Sequence, residues 1–319
     1  MGAGVRDVVE FSKDQPEGTE LVRQQSWPVD GPAELELTVD VGHIRVHLDE
    51  SPGGGEVHVE VRHDPTVGTS WSQGLSGIIS WLGNAAGAPV GRDPGELAAE
   101  AVRAAEITWT ERGRRLVVRS AQELPLRVVP LAVTVSAPAG SRLAARAGAG
   151  DVRVHGRAGW AAVHTGSGDV TVDAVDGDAD VTTGSGAMEL GPITGRARVR
   201  TGSGEVSLAR AGGPTEIKAG SGDVAVGEVT GDLGVRTGSG DVAIADARSG
   251  RLELTTGSGG LRIGVHPGVG AELDLSSGSG QTRSDLEVHT AAPAQPSVLH
   301  LRGRTGSGDV LVTRAMVPV

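Results

Sequence analysis

A Gly-Ser-Gly turn recurs along this chain with a period of 18 residues, and that period constrains the fold more than any single residue does. The hexapeptide Thr165-Gly-Ser-Gly-Asp-Val returns at the same spacing, and weaker or looser copies flank it. The motif positions are Ala147, Thr165, Thr183, Thr201, Ala219 and Thr237, followed by Thr256, Ser277 and Thr305. A fixed period of about 20 residues is typical of a stacked repeat array.

Each repeat reads as two short strands joined by two tight turns. After the turn at Thr165, the run Asp169-Val170-Thr171-Val172 alternates polar and apolar residues, which predicts a half-buried strand. A second turn is centred on Gly177, and Ala179 and Val181 then share one face of a second strand. The sequence therefore predicts an all-β fold, a single-stranded parallel β-helix (solenoid) with two-strand coils and a small helical insertion.

Two expectations follow from the alignment of the repeats. Val170, Val206, Val224 and Val242 occupy one apolar column and should be buried in one stacked row. The turn glycines Gly166, Gly202 and Gly238, or the glycines two residues after them, should adopt a positive φ, where a Cβ is costly.

The rest of the chain departs from the repeat. We expect a flexible tail over 1–25, an N-terminal β region over 26–130 and the repeat solenoid over 131–319. A helical insertion interrupts the β region at about 65–105, and its second helix opens at Asp93-Pro94-Gly95-Glu96 and runs to about Ala105.

The first helix of the insertion is the candidate partner-binding element. Its apolar residues recur at helical spacing, and Trp81 lies off their stripe: the set is Trp71, Leu75, Ile78, Ile79, Trp81 and Leu82. One interpretation is a cap that shields an open end of the β-helix, and the alternative is a docking site for a partner.

Composition narrows the classes of partner. The net charge of −11 argues against nucleic-acid binding, and no run of 18 apolar residues predicts a membrane span. The absence of cysteine excludes disulfides and thiolate metal sites. The N-terminus has no apolar signal core, so we expect a cytoplasmic protein with no cofactor and with either an unknown protein partner or self-association.

An acidic column is the one candidate metal site. It consists of Asp151, Asp169, Glu205, Asp223 and Asp241, interrupted by Ala187. Calcium-binding β-rolls also use an 18-residue coil, but here the acid directly follows the second glycine, one position early. We therefore favour carboxylates that accept turn N–H groups over a calcium site. The alternation also places His43 and His47 on the surface.

The repeat motifs resemble a bacterial family. They are the Thr-Gly-Ser-Gly-Asp-Val units, the approach from Val133 to Ser141 and the ending from Arg302 to Val310. Together they are similar to the β-strand-repeat family of unknown function whose members are named "putative adhesin" and which is related to toast-rack domains. The resemblance covers roughly 30–319. It implies a right-handed β-helix, an association of some members with the cell envelope or its stress signalling, and no catalytic residues.

The sequence is compatible with three functions. The first is a non-enzymatic β-solenoid scaffold or interaction module, with a link to the cell envelope. The second is a regulatory or sensor module in envelope-stress signalling that docks a partner through the helical insertion. The third is a polysaccharide-acting β-helix enzyme, which the scarcity of aromatic residues disfavours, since the chain has five tryptophans, one phenylalanine and no tyrosine.

Overall fold

The computed structural model describes residues 6–11, 21–50, 55–64, 94–286 and 298–316. The described part of the chain forms β-strands and one α-helix in two compact units. The first unit comprises residues up to Gly156 together with Thr165–Ser167, and the second comprises Arg157–His164 and the residues from Gly168 onward.

The strands up to the boundary region are β1 (Arg6–Phe11), β2 (Leu21–Val29), β3 (Glu34–Asp49), β4 (Gly55–His63), β5 (Glu106–Thr110), β6 (Arg115–Arg119), β7 (Leu131–Pro138), β8 (Arg142–Ala149), β9 (Val152–Ala158) and β10 (Trp160–Ser167). The helix α1 spans Pro94–Ala104, and 3-10 turns span Glu111–Gly113 and Leu126–Val128.

The later strands are β11 (Val170–Val175), β12 (Ala179–Ser185), β13 (Met188–Ile193), β14 (Ala197–Ser203), β15 (Val206–Ala211), β16 (Thr215–Ser221), β17 (Val224–Val229), β18 (Leu233–Ser239), β19 (Val242–Ala247), β20 (Gly250–Ser258), β21 (Leu261–Val265), β22 (Ala271–Ser277), β23 (Thr282–Ser284), β24 (Leu299–Ser307) and β25 (Val310–Arg314).

The first unit is organised around the long strand β3. Its first half pairs in parallel with β6 and β8, and its second half pairs in parallel with β7 and β9. Antiparallel strands extend both ladders, in the order β7–β4–β2–β1 on one side and β6–β5 on the other. The expected tail over 1–25 therefore includes β1 and the start of β2, which pair with each other.

The helix α1 confirms the second predicted helix of the insertion. It begins at Pro94 and buries Leu97, Ala98, Ala101 and Val102 against β2 and β4 of its own unit. The Arg23 guanidinium donates a hydrogen bond of 2.6 Å to the carbonyl of Ala105, which caps the carboxyl end of the helix. Trp27 on β2 stacks on Trp109 of β5 with ring centroids 5.5 Å apart.

The second unit is a parallel β-helix of two sheets, which confirms the predicted fold class. Sheet A contains β11, β13, β15, β17, β19, β21, β25 and β23 in that spatial order. Sheet B contains β12, β14, β16, β18, β20, β24 and β22 in that order.

The apolar column predicted from the repeat is confirmed. Val170, Val206, Val224 and Val242 are at most 1% exposed. Met188 completes the row, and each of these residues faces the next on a neighbouring strand of sheet A. The interior is thus filled by aliphatic side chains whose period equals one coil.

The positive φ predicted for the turn glycines is confirmed in two of the three coils. Gly168 and Gly240 have φ of +136° and +139°. Gly202 and Gly204 lie outside the left-handed range, so the prediction is wrong for that coil. A Cβ at Gly204 would lie 2.0 Å from the carbonyl oxygen of Gly186, and close stacking of successive turns is the reason for glycine there.

The coils of the second unit do not stack in sequence order throughout. β24 lies between β20 and β22, and β25 lies between β21 and β23. The last coil in sequence is therefore internal and the coil before it is terminal. Leu299 and Leu301 on β24 are 0% and 2% exposed, whereas Leu273 and Leu275 on β22 are only half-buried.

Candidate functional site: the outer faces of the coils

The acidic column lies along one rim of the Gly-Ser-Gly turns, and its carboxylates bind backbone amides of the adjacent coil. Asp223 Oδ1 accepts the N–H of Asp241 at 2.8 Å, and Asp241 Oδ1 accepts the N–H of Gly260 at 2.7 Å. Asp169 Oδ1 accepts the N–H of Ala187 in the same way at 2.9 Å. These three contacts each join one turn to the next, in addition to the strand ladders.

The other members of the column are placed differently. The Asp151 carboxylate accepts a hydrogen bond of 2.9 Å from Arg153 in the first unit. Glu205 is exposed in the second unit, where its side chain makes no hydrogen bond to the described residues. Within the described ranges, no three His, Asp or Glu side chains converge as a metal site. Whether the column binds calcium stays a prediction to be tested.

A shallow cavity of about 520 Å³ opens on sheet A where Ala187 interrupts this column. Asp173, Glu189 and Glu205 line it, together with the backbone at Gly191. The missing carboxylate at Ala187 and the missing side chain at Gly191 create the depression. It is acidic and open, and it lies on the outer face of the sheet.

The outer face of sheet B carries a feature that the sequence analysis missed. One continuous row of outward side chains crosses seven adjacent strands, and every member can donate a hydrogen bond. We call it the donor row; in spatial order it is Thr182, Arg200, Lys218, Arg236, Thr255, Arg304 and Ser276. At roughly 4.8 Å per strand the row is about 29 Å long.

The row beside it has a different charge pattern. Its members are Asp180, Arg198, Glu216, Gly234, Glu253, Arg302 and Asp274, so that acids and bases largely alternate. Arg302 Nε and Asp274 Oδ2 form an ion pair of 3.1 Å across β24 and β22. Acidic and basic side chains therefore face each other on neighbouring strands, and such pairs stabilise a sheet.

In the donor row, no acidic side chain faces a basic one on the neighbouring strand. Lys218 Nζ pairs with Glu216 Oε1 at 2.5 Å, and this hydrogen bond, assisted by the charges of Arg200 and Arg198, lowers the pKa of the Glu216 carboxyl. Arg200, Arg236 and Arg304 form no ion pair with any residue that the structure describes. The side chains of all three arginines are exposed.

A second depression, of about 410 Å³, adjoins the donor row. It exists because Gly234 has no side chain, and a Cβ there would meet no atom within 4 Å. Glu216 and Glu253 line it on the strands to either side of Gly234, and Arg198 and Arg251 also border it. The depression thus presents carboxylate acceptors and guanidinium donors side by side.

The predicted partner-binding residues Trp71, Leu75, Ile78, Ile79, Trp81 and Leu82 lie outside the described residues. The surface position expected for His43 is wrong. His43 does alternate away from the apolar interior, but it is 9% exposed and its Nδ1 is hydrogen-bonded to the buried carboxylate of Asp64, which follows β4. His47 is half-buried and stacks on His155 with ring centroids 5.2 Å apart.

The parallel β-helix, with its repeating Gly-Ser-Gly turn and aliphatic interior, identifies the chain as a β-solenoid protein. Residues 133–313 match the family model Toastrack DUF4097. The match spans more than half of the 319 residues, and the chain belongs to this family.

Solved structures with similarity to this chain include three bacterial proteins. A "putative adhesin" from Bacteroides fragilis has a TM-score of 0.36 and 8% identity, over 92% of this chain and 96% of that one. A "putative adhesin" from Parabacteroides distasonis has a TM-score of 0.32 and 10% identity, over 91% and 96%. A "putative cell adhesion protein" from Clostridium sporogenes has a TM-score of 0.19 and 8% identity, over 92% and 99%.

A comparison with curated proteins found no match. Among the described residues, no helix combines the length and the apolar character needed to cross a membrane.

Proposed function

We propose that this chain is a non-enzymatic interaction module, in which stacked coils act as a scaffold and the outer faces of the sheets bind a partner. The observation that carries the proposal is the donor row, because the β-helix holds seven outward donors in register over about 29 Å. The interior columns hold the fold together, and the exposed rows are free to differ in chemistry from one face to the other.

An enzymatic role has less support. The two cavities are shallow depressions on the outer faces, and a catalytic pocket ordinarily buries most of its ligand. Hydrolysis of a glycosidic bond uses a pair of carboxyl groups on either side of the bond. Glu216 and Glu253 flank the Gly234 depression, but the hydrogen bond from Lys218 lowers the pKa of the Glu216 carboxyl, which disfavours Glu216 as the general acid.

Association with the cell envelope belongs to the same proposal. This association rests on the resemblance of the repeat motifs to a family that has some envelope-associated members. The cross-linking experiment below therefore also tests where the protein is located. Docking through Trp71 and its neighbours stays a prediction, since that segment lies outside the described residues.

Site-specific cross-linking tests the proposal. The chain contains no cysteine, so a Thr255→Cys variant carries a single benzophenone label on the outer face of sheet B. We expect a saturable cross-link in envelope fractions of the native host, competed by unlabelled chain, and a weaker one from the matched Ser207→Cys variant on sheet A. Absence of any competed cross-link at either position, or turnover of glycosidase, esterase or phosphatase substrates, would contradict the proposal.

A further inference from the structure

We propose that the donor row binds a linear polysaccharide that carries a carboxylate on each sugar, laid across the strands of sheet B in an extended form. This inference deepens the proposed interaction function and rests on it. The ligand class follows from the chemistry of the row, its spacing and the surface beside it.

The side chains of the donor row favour an anionic ligand. Arg200, Lys218, Arg236 and Arg304 are cations, and the remaining members Thr182, Thr255 and Ser276 carry hydroxyl groups that can also donate a hydrogen bond to an anion. No member is acidic or aliphatic, in a chain whose net charge is −11. The adjacent row on the same sheet contains four carboxylates, so the pattern is not a property of the whole face.

The row is also unfavourable for the fold alone. Arg200 faces Lys218, and Lys218 faces Arg236, on successive strands, and like charges in facing positions destabilise a sheet. Among the described residues, Glu216 is the one acidic partner within ion-pair distance of these cations, and it pairs with Lys218. A polyanion laid along the row would supply the missing opposite charges.

The geometry favours a straight, extended polymer. Neighbouring members are separated by one strand spacing of about 4.8 Å, and a planar guanidinium can bind a carboxylate through two parallel hydrogen bonds. In an extended acidic polysaccharide with two sugars per turn, alternate carboxylates point to the same side, so those that face the sheet recur at about two strand spacings, which is the interval between Arg200, Arg236 and Arg304. Duplex nucleic acid winds its phosphates away from a straight row, and single strands are usually bound through aromatic stacking, which neither of the two rows described on this face supplies.

The depression at Gly234 provides room for a sugar ring beside the row. Gly234 is two residues before Arg236 on β18, so the two positions lie on the same outer face. The carboxylates of Glu216 and Glu253 can accept hydrogen bonds from sugar hydroxyl groups, while Arg198 and Arg251 can donate to ring or carboxylate oxygens. Polar groups of both kinds beside a cationic row suit an acidic sugar better than a simple polyphosphate.

The test uses the full chain and polygalacturonate as the probe, with binding measured by calorimetry at low and at physiological salt. We expect the Arg200→Gln/Arg236→Gln double variant to bind at least tenfold more weakly. The control is Arg262→Gln/Arg314→Gln, which removes the same charge from sheet A, where both side chains are exposed and form no ion pair with a described residue. It should bind like the unmodified chain, and thermal unfolding should confirm that both variants are folded.

Three results would overturn the inference. They are no binding of polygalacturonate at low salt, equal weakening by both double variants, and tighter binding of single-stranded DNA or polyphosphate than of polygalacturonate. Methyl-esterified polygalacturonate should not compete, because it lacks the carboxylates. The two proposals can fail separately. If the cross-link in envelope fractions is competed but polygalacturonate does not bind, the polysaccharide inference is wrong and the proposed interaction function is still supported.

Discussion

Arg304 lies directly beside Thr255 on neighbouring parallel strands, although the whole β22–β23 coil separates the two residues in sequence. This placement brings a fourth cation into the donor row next to β20. It also puts the acidic strand β22, with Glu272 and Asp274, at the end of the stack. The surface that we propose as functional therefore depends on a stacking order that the repeat itself does not specify.

Two glycines, Gly240 in a turn and Gly234 in strand β18, provide a test of close packing. Gly240 combines a φ of +139° with a backbone oxygen 2.2 Å from where a Cβ would lie, whereas Gly234 has open space at that point. We expect Gly240→Ala to lower the free energy of unfolding by more than about 1 kcal/mol, and Gly234→Ala to leave it unchanged or raise it slightly. Urea unfolding followed by circular dichroism measures both, and equal effects would refute the steric explanation.

The aspartate contacts between coils make a separable contribution. Asp223→Ala removes the acceptor for the Asp241 N–H, and we expect a loss of about 0.5–2 kcal/mol, as for other side chains that cap a backbone amide. Asp223→Asn keeps a carbonyl oxygen in the same place and should lose less. Glu205→Ala in the same column is the control, since its side chain bonds to no described residue. A loss at Glu205 equal to that at Asp223 would contradict this assignment.

The stability of the first unit should depend on pH through Glu36. Hydrogen bonds from Arg119 and Arg115 hold the pKa of the Glu36 carboxyl below its ordinary value. A carboxyl with a lowered pKa in the folded state stabilises the fold above its unfolded-state pKa, and this contribution disappears as the pH falls through the folded-state value. The Glu36→Gln variant should thus be less stable than the unmodified chain at pH 7. That difference in urea midpoint should vanish in acid, and a difference independent of pH would contradict the ion-pair explanation.

The acidic column gives a prediction about calcium. The carboxylates of Asp169, Asp223 and Asp241 already accept backbone N–H groups, so we expect no tight calcium binding. A site with micromolar affinity would stabilise the fold by about 4 kcal/mol at millimolar calcium. Thermal unfolding with and without calcium should therefore coincide, and a clear rise in the melting temperature would show that the column is a metal site.

Much of the fold could be predicted because the repeat couples local pattern to packing. The period aligned Val170 with Val224 in one column, and the alternation of polar and apolar residues after each turn predicted the strands. The positive φ expected in the coil of Gly202 was wrong because contact between turns, as well as the backbone angle, selects glycine. That contact is visible only when the coils are stacked.

The donor row could have been found in the sequence, although not from the periodicity of the apolar residues. Its members directly precede the first residue of each turn motif, as Arg200 precedes Thr201 and Arg304 precedes Thr305. Aligning outward positions column by column would have found it. The order of its last two members could not have been found, because nothing local in β22 or β24 specifies which of them pairs with β20.

The most direct test of the account measures distances along the donor row. In the observed order, Thr182 is five strand steps from Arg304 and six from Ser276, or about 24 and 29 Å. Nitroxide pairs at Thr182→Cys/Arg304→Cys and Thr182→Cys/Ser276→Cys can be measured by pulsed electron resonance, since the chain has no other cysteine. We predict two narrow distributions with the Ser276 pair longer by about one strand spacing. Broad distributions, or a longer Arg304 pair, would contradict a rigid scaffold that presents this row.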